Sequence, residues 1–194
     1  MVMADVLKPA RAGARTNFLY EALLVLGGSA FVALMARVSI PLPFSPVPIT
    51  GQTFAVLLVG TLLGSVRGAI ALGSYLVWGA LGLPVFAGGK GGIVHILGPT
   101  GGYLLGFVAA AYAVGLLAQR GWDRRPWTCA ISMAVGNSLI YILGLPWLAG
   151  YVGPDKVLRL GLLPFIPGDL LKLLAAVTIL PTGWKLLRAL GRST

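Results

Sequence analysis

The 194-residue chain contains one cysteine, one histidine and five carboxylates. Each shortage removes a class of chemistry. Cys129 alone forms no internal disulfide. His95 alone builds no histidine-rich metal site, so no metal is expected. The acids Asp5, Glu21, Asp123, Asp155 and Asp169 are spread along the chain, and no pair is spaced as a general acid and base. No catalytic residue and no cofactor emerge, and an enzyme is not expected. Charge is the scarcest commodity. Only 10% of residues are charged while 57% are hydrophobic. A soluble domain carries roughly a quarter charged residues, so this composition points to an integral membrane protein in contact with a lipid bilayer.

The charge present is one-sided, 15 basic residues against 5 acidic. The basic residues cluster at the ends of apolar runs, without interleaved aromatics, which argues against nucleic acid. The run "GGKGG" (88–92) is not a phosphate loop. That loop needs a glycine where Pro84 stands and a Ser or Thr where Gly91 stands. ATP therefore has no site of that kind here.

Apolar runs cover about 18–40, 50–66, 68–83, 101–118, 127–148 and 168–187. Each approaches the ~20 residues that cross a bilayer. The expected fold is all-α with six transmembrane helices: a basic cytoplasmic tail over 1–16, one domain over 17–190 and a short cytoplasmic tail over 191–194. Both termini then share one side. With that side cytoplasmic, Lys8, Arg11, Arg15, Arg67, Arg120, Arg124, Arg125, Lys185, Arg188 and Arg192 lie inside, and Lys90, Lys156 and Arg159 outside. This bias follows the positive-inside rule. Small residues recur at every fourth position: Gly60, Gly64 and Gly68; Gly98, Gly102, Gly106 and Ala110; and, more weakly, Ser29 and Ala33. Such rows allow close helix packing, within the bundle or against a partner.

The remaining polar residues gather at the expected outer end. Asp169 and Lys172 sit at i and i+3, on one helix face. Asp169 is read as a helix cap, as a neutraliser of Lys172, or as half of an acceptor–donor pair facing a cavity. Asn137 and Tyr141 share a face of the fifth span, where an Asn also serves as an interhelical bond. Gln52 and Thr53 open the second span, as caps or as pocket groups. The segment 39–50 carries four prolines and must be extended rather than helical. Its Pro43, Phe44, Pro46 and Pro48 make a lid or a plain connector. Lys90 stands between glycines that give freedom to bend or to let a ligand approach. His95 is read as a loop residue with a lesser chance of ligand contact. Apolar walls with a few placed polar groups describe a small-molecule pocket.

The segments "PVPITGQTF" (46–54), "GLPVFAGGKGG" (82–92), "GPTGGYLLGF" (98–107), "GN" with "IY" (136–141) and "FIPGDLLK" (165–172) together resemble the BioY family. These are biotin-specific S components of energy-coupling factor (ECF) vitamin transporters. The resemblance implies an S-component fold in a bacterial cytoplasmic membrane and high-affinity biotin uptake. Asp169, Lys172, Asn137, Tyr141, Gln52, Lys90 and Tyr103 become the expected substrate-binding residues. It also implies partners, a membrane coupling protein (the T component) and two cytoplasmic ATPases, and leaves room for a homo-oligomer. Docking would use the small residues Ser29 and Ala33 of the first helix. Alternatives are an S component for another vitamin, a solitary biotin transporter, a membrane enzyme acting on lipids, and a channel or structural subunit.

Overall fold

The computed structural model describes residues 1–7 and 14–191. Lys8, Arg11 and Arg192, expected on the inner side, lie outside the described residues. The described chain is mostly helical: α1 (Met3–Val6), α2 (Ala14–Met35), a hairpin of β1 (Ser39–Leu42) and β2 (Ser45–Thr50), α3 (Gln52–Leu63), α4 (Ser65–Ala80), α5 (Ile93–Ile96), α6 (Gly101–Gln119), α7 (Pro126–Val152), α8 (Pro154–Gly161) and α9 (Ile166–Ala189).

The helices follow the apolar runs, with corrections. Four of them, α2, α6, α7 and α9, are long and apolar enough to cross a membrane. At 1.5 Å per residue α3 and α4 reach only ~18 and ~24 Å. They are separated by Gly64, whose φ of 89° breaks the helical path. The first helix ends at Met35 rather than near residue 40, because the proline-rich segment that follows pairs as an antiparallel hairpin, Ser39 opposite Thr50 and Ile40 opposite Ile49. The extended reading of 39–50 is correct, and the purely helical fold gains this one small sheet. The short amphipathic α8 was not foreseen.

α6 is the centre, packed on α3, α4 and α7; α2 lies on α4 and α3, and α9 on α7 and α3. Glycine makes the centre possible. A Cβ on Gly60 would stand 2.7 Å from the Cα of Ala111, so α3 and α6 touch backbone to backbone. The two glycine rows thus serve internal packing.

Within the expected N-terminal tail, residues 2–5 pack against the helices. Val2, Met3 and Ala4 are buried in the core. Tyr20 donates its hydroxyl to the Ala4 carbonyl at 2.6 Å. Arg67 pairs with Asp5 at 2.6 Å and with both carboxylate oxygens of Glu21. Apolar side chains and a charge cluster hold residues 2–5 against the bundle.

Candidate functional site

Six pieces of chain meet at the opposite end, around a cavity partly open to solvent. The hairpin contributes Val47, Pro48 and Thr50; the start of α3, Gln52 and Thr53; the 84–96 segment, Phe86, Ala87 and His95. The start of α6 adds Thr100, Tyr103, Leu104 and Phe107. Ile140 and Tyr141 come from α7, and Phe165, Asp169 and Lys172 from the start of α9. A mainly apolar lining with a few convergent polar groups suits a small molecule.

The polar centre is built on the first turns of α9. Asp169 is the fourth residue of the helix, and no side chain caps its N-terminus. The capping reading of Asp169 is therefore replaced. Lys172 lies 3.2 Å from Asp169 Oδ1 and donates to Thr53 Oγ1 at 2.8 Å. The Tyr141 hydroxyl donates to the other carboxylate oxygen. Asp169 is only 9% exposed, and a charge buried so deeply needs such partners. Capacity is left over. Each carboxylate oxygen accepts more than one hydrogen bond, and an ammonium has three N–H groups. The pair therefore presents an acceptor beside a donor at the edge of an apolar chamber.

An aromatic wall faces this chamber. Phe86 is fully buried, edge-on to Tyr75 (centroids 5.5 Å) and stacked on His95 (5.1 Å). Its ring occupies the space a side chain at Gly79 would need. Gln52 Nε2 donates to the Tyr75 hydroxyl at 2.7 Å, and Tyr75 donates to the Val85 carbonyl. Tyr103 packs edge-on to Tyr141 and donates to the Gly161 carbonyl at 2.9 Å, tying α6 to α8. Burial first, and the Lys90 charge second, pull the His95 imidazole below the usual histidine range. Among the described residues no three His, Cys, Asp or Glu side chains form a metal cluster.

A family model, described as the BioY family, matches residues 8–189. The chain belongs to the BioY family. Among its relatives, the probable biotin transporter BioY of Pyrococcus horikoshii is 45% identical over 150 residues, 77% of this chain and 88% of the relative. The biotin transporter BioY of Thermotoga maritima is 42% identical over 162 residues, 83% and 89% of the two chains. In three dimensions the chain is similar to the S-component for biotin from an ECF-type ABC transporter, with a TM-score of 0.78 and 29% identity, covering 90% of this chain and 95% of that one. Family and composition make this BioY chain a multi-pass cytoplasmic-membrane protein.

In this BioY chain the cavity brings together five of the seven residues expected to bind substrate: Asp169, Lys172, Tyr141, Gln52 and Tyr103. Asn137 is half-buried on the adjoining groove, with Ser138, Ile166 and Leu170, and does not line the cavity. Lys90 is exposed and off the lining. Its backbone carbonyl accepts from the Phe86 N–H at 2.9 Å and closes a tight loop. Gly88 and Gly89 there have φ of 69° and 74°, a region that suits glycine, so the glycines are explained by the turn that delivers Phe86. Of the expected lid residues only Pro48 lines the cavity. Pro43 and Pro46 are exposed. Phe44 borders a separate groove with Lys156, Arg159 and Leu160, where Ser45 donates to the Leu160 carbonyl at 2.8 Å.

Ser29 is also corrected as a docking residue. It is fully buried and donates to the Ala71 carbonyl of α4 at 2.7 Å, because a hydroxyl inside an apolar bundle must find an acceptor. Ala33 is half-buried against the core. Sequence reasoning left Phe86 and Thr100 off the expected site, gave His95 little weight, and read Thr53 as a cap or pocket group without counting it among the substrate-binding residues. Thr53 had a signal, since it follows Gln52 at the start of α3. Phe86 had none, because its role depends on Gly79 and His95.

Proposed function

We propose that this chain is the substrate-binding subunit of a biotin uptake system. The observation that carries the reading is the Asp169–Lys172 pair, held with spare acceptor and donor capacity beside an apolar chamber. The ureido ring of biotin offers N–H groups next to a carbonyl. A carboxylate takes the N–H and an ammonium donates to the carbonyl, both charge-assisted. The fused rings and valeryl chain suit Phe86, Phe107, Leu104 and Ile140. The names of the relatives and the structural neighbour support the same ligand.

The membrane arrangement in this reading has six crossing segments, with α3 and α4 as two short ones, and both termini cytoplasmic. Single cysteines in a Cys129→Ser background test it. Positions 39–50 and 84–100 react with an impermeant thiol reagent from outside and the 120–125 loop from inside; the opposite pattern inverts the orientation. Energy comes from partner ATPases through a membrane coupling subunit, since the neighbour belongs to an ABC transporter and this chain lacks a phosphate loop. The coupling subunit docks on α2. With Ser29 turned inward, the face left for it carries Leu23, Leu26, Gly27, Phe31 and Leu34, where Gly27 has open space beside it. Gly27→Trp keeps biotin binding and loses uptake and co-purifying partners.

Titration calorimetry on the purified chain tests the ligand, with riboflavin and thiamine as comparators. Saturable binding of about one biotin per chain, with neither comparator bound, is the expected result. Indifference to biotin sinks the reading.

A further inference from the structure

The polar groups of the cavity divide into those already committed and those not. Lys172 donates to Asp169 and Thr53, Tyr141 to Asp169, and Tyr103 to the Gly161 carbonyl. Gln52 gives its amide N–H to Tyr75. Thr50 Oγ1 accepts from the Gln52 backbone. Among the described residues, the two donors lining the cavity without any hydrogen bond are His95 and Thr100, whose Oγ1 is buried and unpartnered. Both lie near the start of α6: Thr100 is its N-cap residue, and His95 sits on α5, which packs on α4 and α6. The Asp169–Lys172 pair belongs to α9, which packs on α7 and α3. The cavity thus has a second polar station, supported by different helices from the first.

We propose that His95, assisted by the Thr100 hydroxyl, holds the ligand's terminal carboxylate and takes up a proton as it does so. This rests on the biotin reading, in which the ureido ring occupies the Asp169–Lys172 pair and the carboxylate needs donors elsewhere. The buried Thr100 hydroxyl is without a partner, which is costly; half-buried His95 lines the same cavity without a hydrogen bond, and a carboxylate supplies what both lack. His95 is held in place by its stack on Phe86. A neutral imidazole donates one N–H; an imidazolium adds charge. The charged and titratable groups around it are Lys90 on the glycine loop, Tyr75 behind Phe86, Tyr103 on α6, and Tyr141, Asp169 and Lys172 from α7 and α9.

The sign of the linkage follows. In the free protein, burial and Lys90 oppose protonation of His95. A bound carboxylate opposes them and raises the bound-state value. Affinity is therefore greater below the free-state value and falls as pH rises through the bound-state value.

The test is calorimetry on the full chain with biotin and with biotinamide, which keeps the rings but lacks the carboxylate, between pH 5.5 and pH 8. Expected is roughly tenfold tighter biotin binding at pH 5.5 than at pH 8, the scale of one hydrogen bond to a charged group. Proton uptake should appear when buffers of different ionisation enthalpy are compared. Biotinamide should show neither effect. His95→Gln should abolish slope and proton uptake while keeping the parent's melting temperature. A slope that persists in His95→Gln assigns the titration to another group and overturns the proposal. So does pH-independent biotin binding, or equal behaviour of biotin and biotinamide, and both leave the biotin reading standing. Should His95→Gln fail to fold, the acid-against-amide comparison on the parent chain still decides. Failure of both ligands to bind removes the biotin reading and this inference together.

Discussion

The two ends of the bundle are built from the same materials and put them to opposite use. At the end away from the cavity Arg67 meets two carboxylates, Glu21 and Asp5, and residues 2–4 are buried beneath it. Ser65 donates to Gln119 at 3.1 Å, and the Trp184 indole donates to Asp123 at 2.5 Å with Arg124 over its ring. At the cavity end one acid meets one base and one tyrosine, and donors remain over. A cluster whose groups satisfy one another acts as a latch. A cluster with groups unspent in an apolar chamber acts as a receptor. The residue types are alike; the count of partners differs. The end away from the cavity also holds exceptions, Asp123 Oδ1 and Arg124 Nε, both buried without a hydrogen-bond partner. Asp123 is almost fully buried with Oδ1 unpartnered, and burial pushes its carboxyl above the usual range despite the Trp184 bond.

Four outcomes would break or sharpen this contrast. The largest effect belongs to Phe86→Ala. Removing a fully buried aromatic costs about 3–5 kcal/mol, so the melting temperature should drop and biotin binding should fail with it. A variant that melts like the parent would mean that the wall is not part of the fold.

Next are Asp169→Asn and Lys172→Met. Each should weaken biotin binding by about 1.5–3 kcal/mol, the scale of a hydrogen bond to a charged group. Because the two side chains touch, the double variant should lose less than the sum. Unchanged affinity by calorimetry in both single variants would make the pair structural, like its counterpart around Arg67.

Arg67→Met tests the latch. The cluster is partly exposed, so a loss of about 1–2 kcal/mol in stability is expected, with biotin affinity retained. The pH dependence has a definite sign. Burial raises the Asp5 carboxyl, but the Val2 N–H and the Arg67 guanidinium outweigh it and hold it below the usual range. A lowered carboxyl stabilises the fold above its unfolded value, near 4, and loses that contribution as pH falls through the folded value. The stability gap between parent and Arg67→Met should stay constant from pH 5 to pH 8 and shrink below pH 4. A gap that changes between pH 6 and pH 7 would implicate another group.

Thr53→Val is the smallest. It removes one acceptor from Lys172 and should cost about 0.5–1.5 kcal/mol in biotin affinity. A loss as large as that of Lys172→Met would show that Thr53 itself contacts the ligand.

Much of the plan was legible in the chain. Apolar runs located α2, α3, α4, α6, α7 and α9, because hydropathy is summed over consecutive residues. The i, i+3 spacing put Asp169 and Lys172 on one face, because the helical repeat is local. Four prolines forbade a helix over 39–50. Illegible were the outcomes of competition between distant groups. Ser29 read as part of a small-residue row, yet the Ala71 carbonyl, 42 residues away, turns it inward. Lys90 read as a binding cation, yet it stands outside while its backbone positions Phe86. Asn137 shares a helix face with Tyr141 but meets the neighbouring groove. Residues 2–4 looked like tail until the underside of the bundle was there to receive them.

The sequence by itself determined that this protein lives in a membrane, where its helices run, and that one acid–base pair stands at the head of the last of them. Those are properties of short stretches, decided by transfer to lipid and by the helical period. Only the tertiary structure decided which polar groups are spent and which are spare. Lys172 finds Thr53 across 119 residues and Tyr141 finds Asp169 across 28, while His95 and Thr100 find no hydrogen-bonding partner among the described residues. A hydrogen bond needs its partner within about 3 Å, and only folding brings residues so far apart in sequence to that distance.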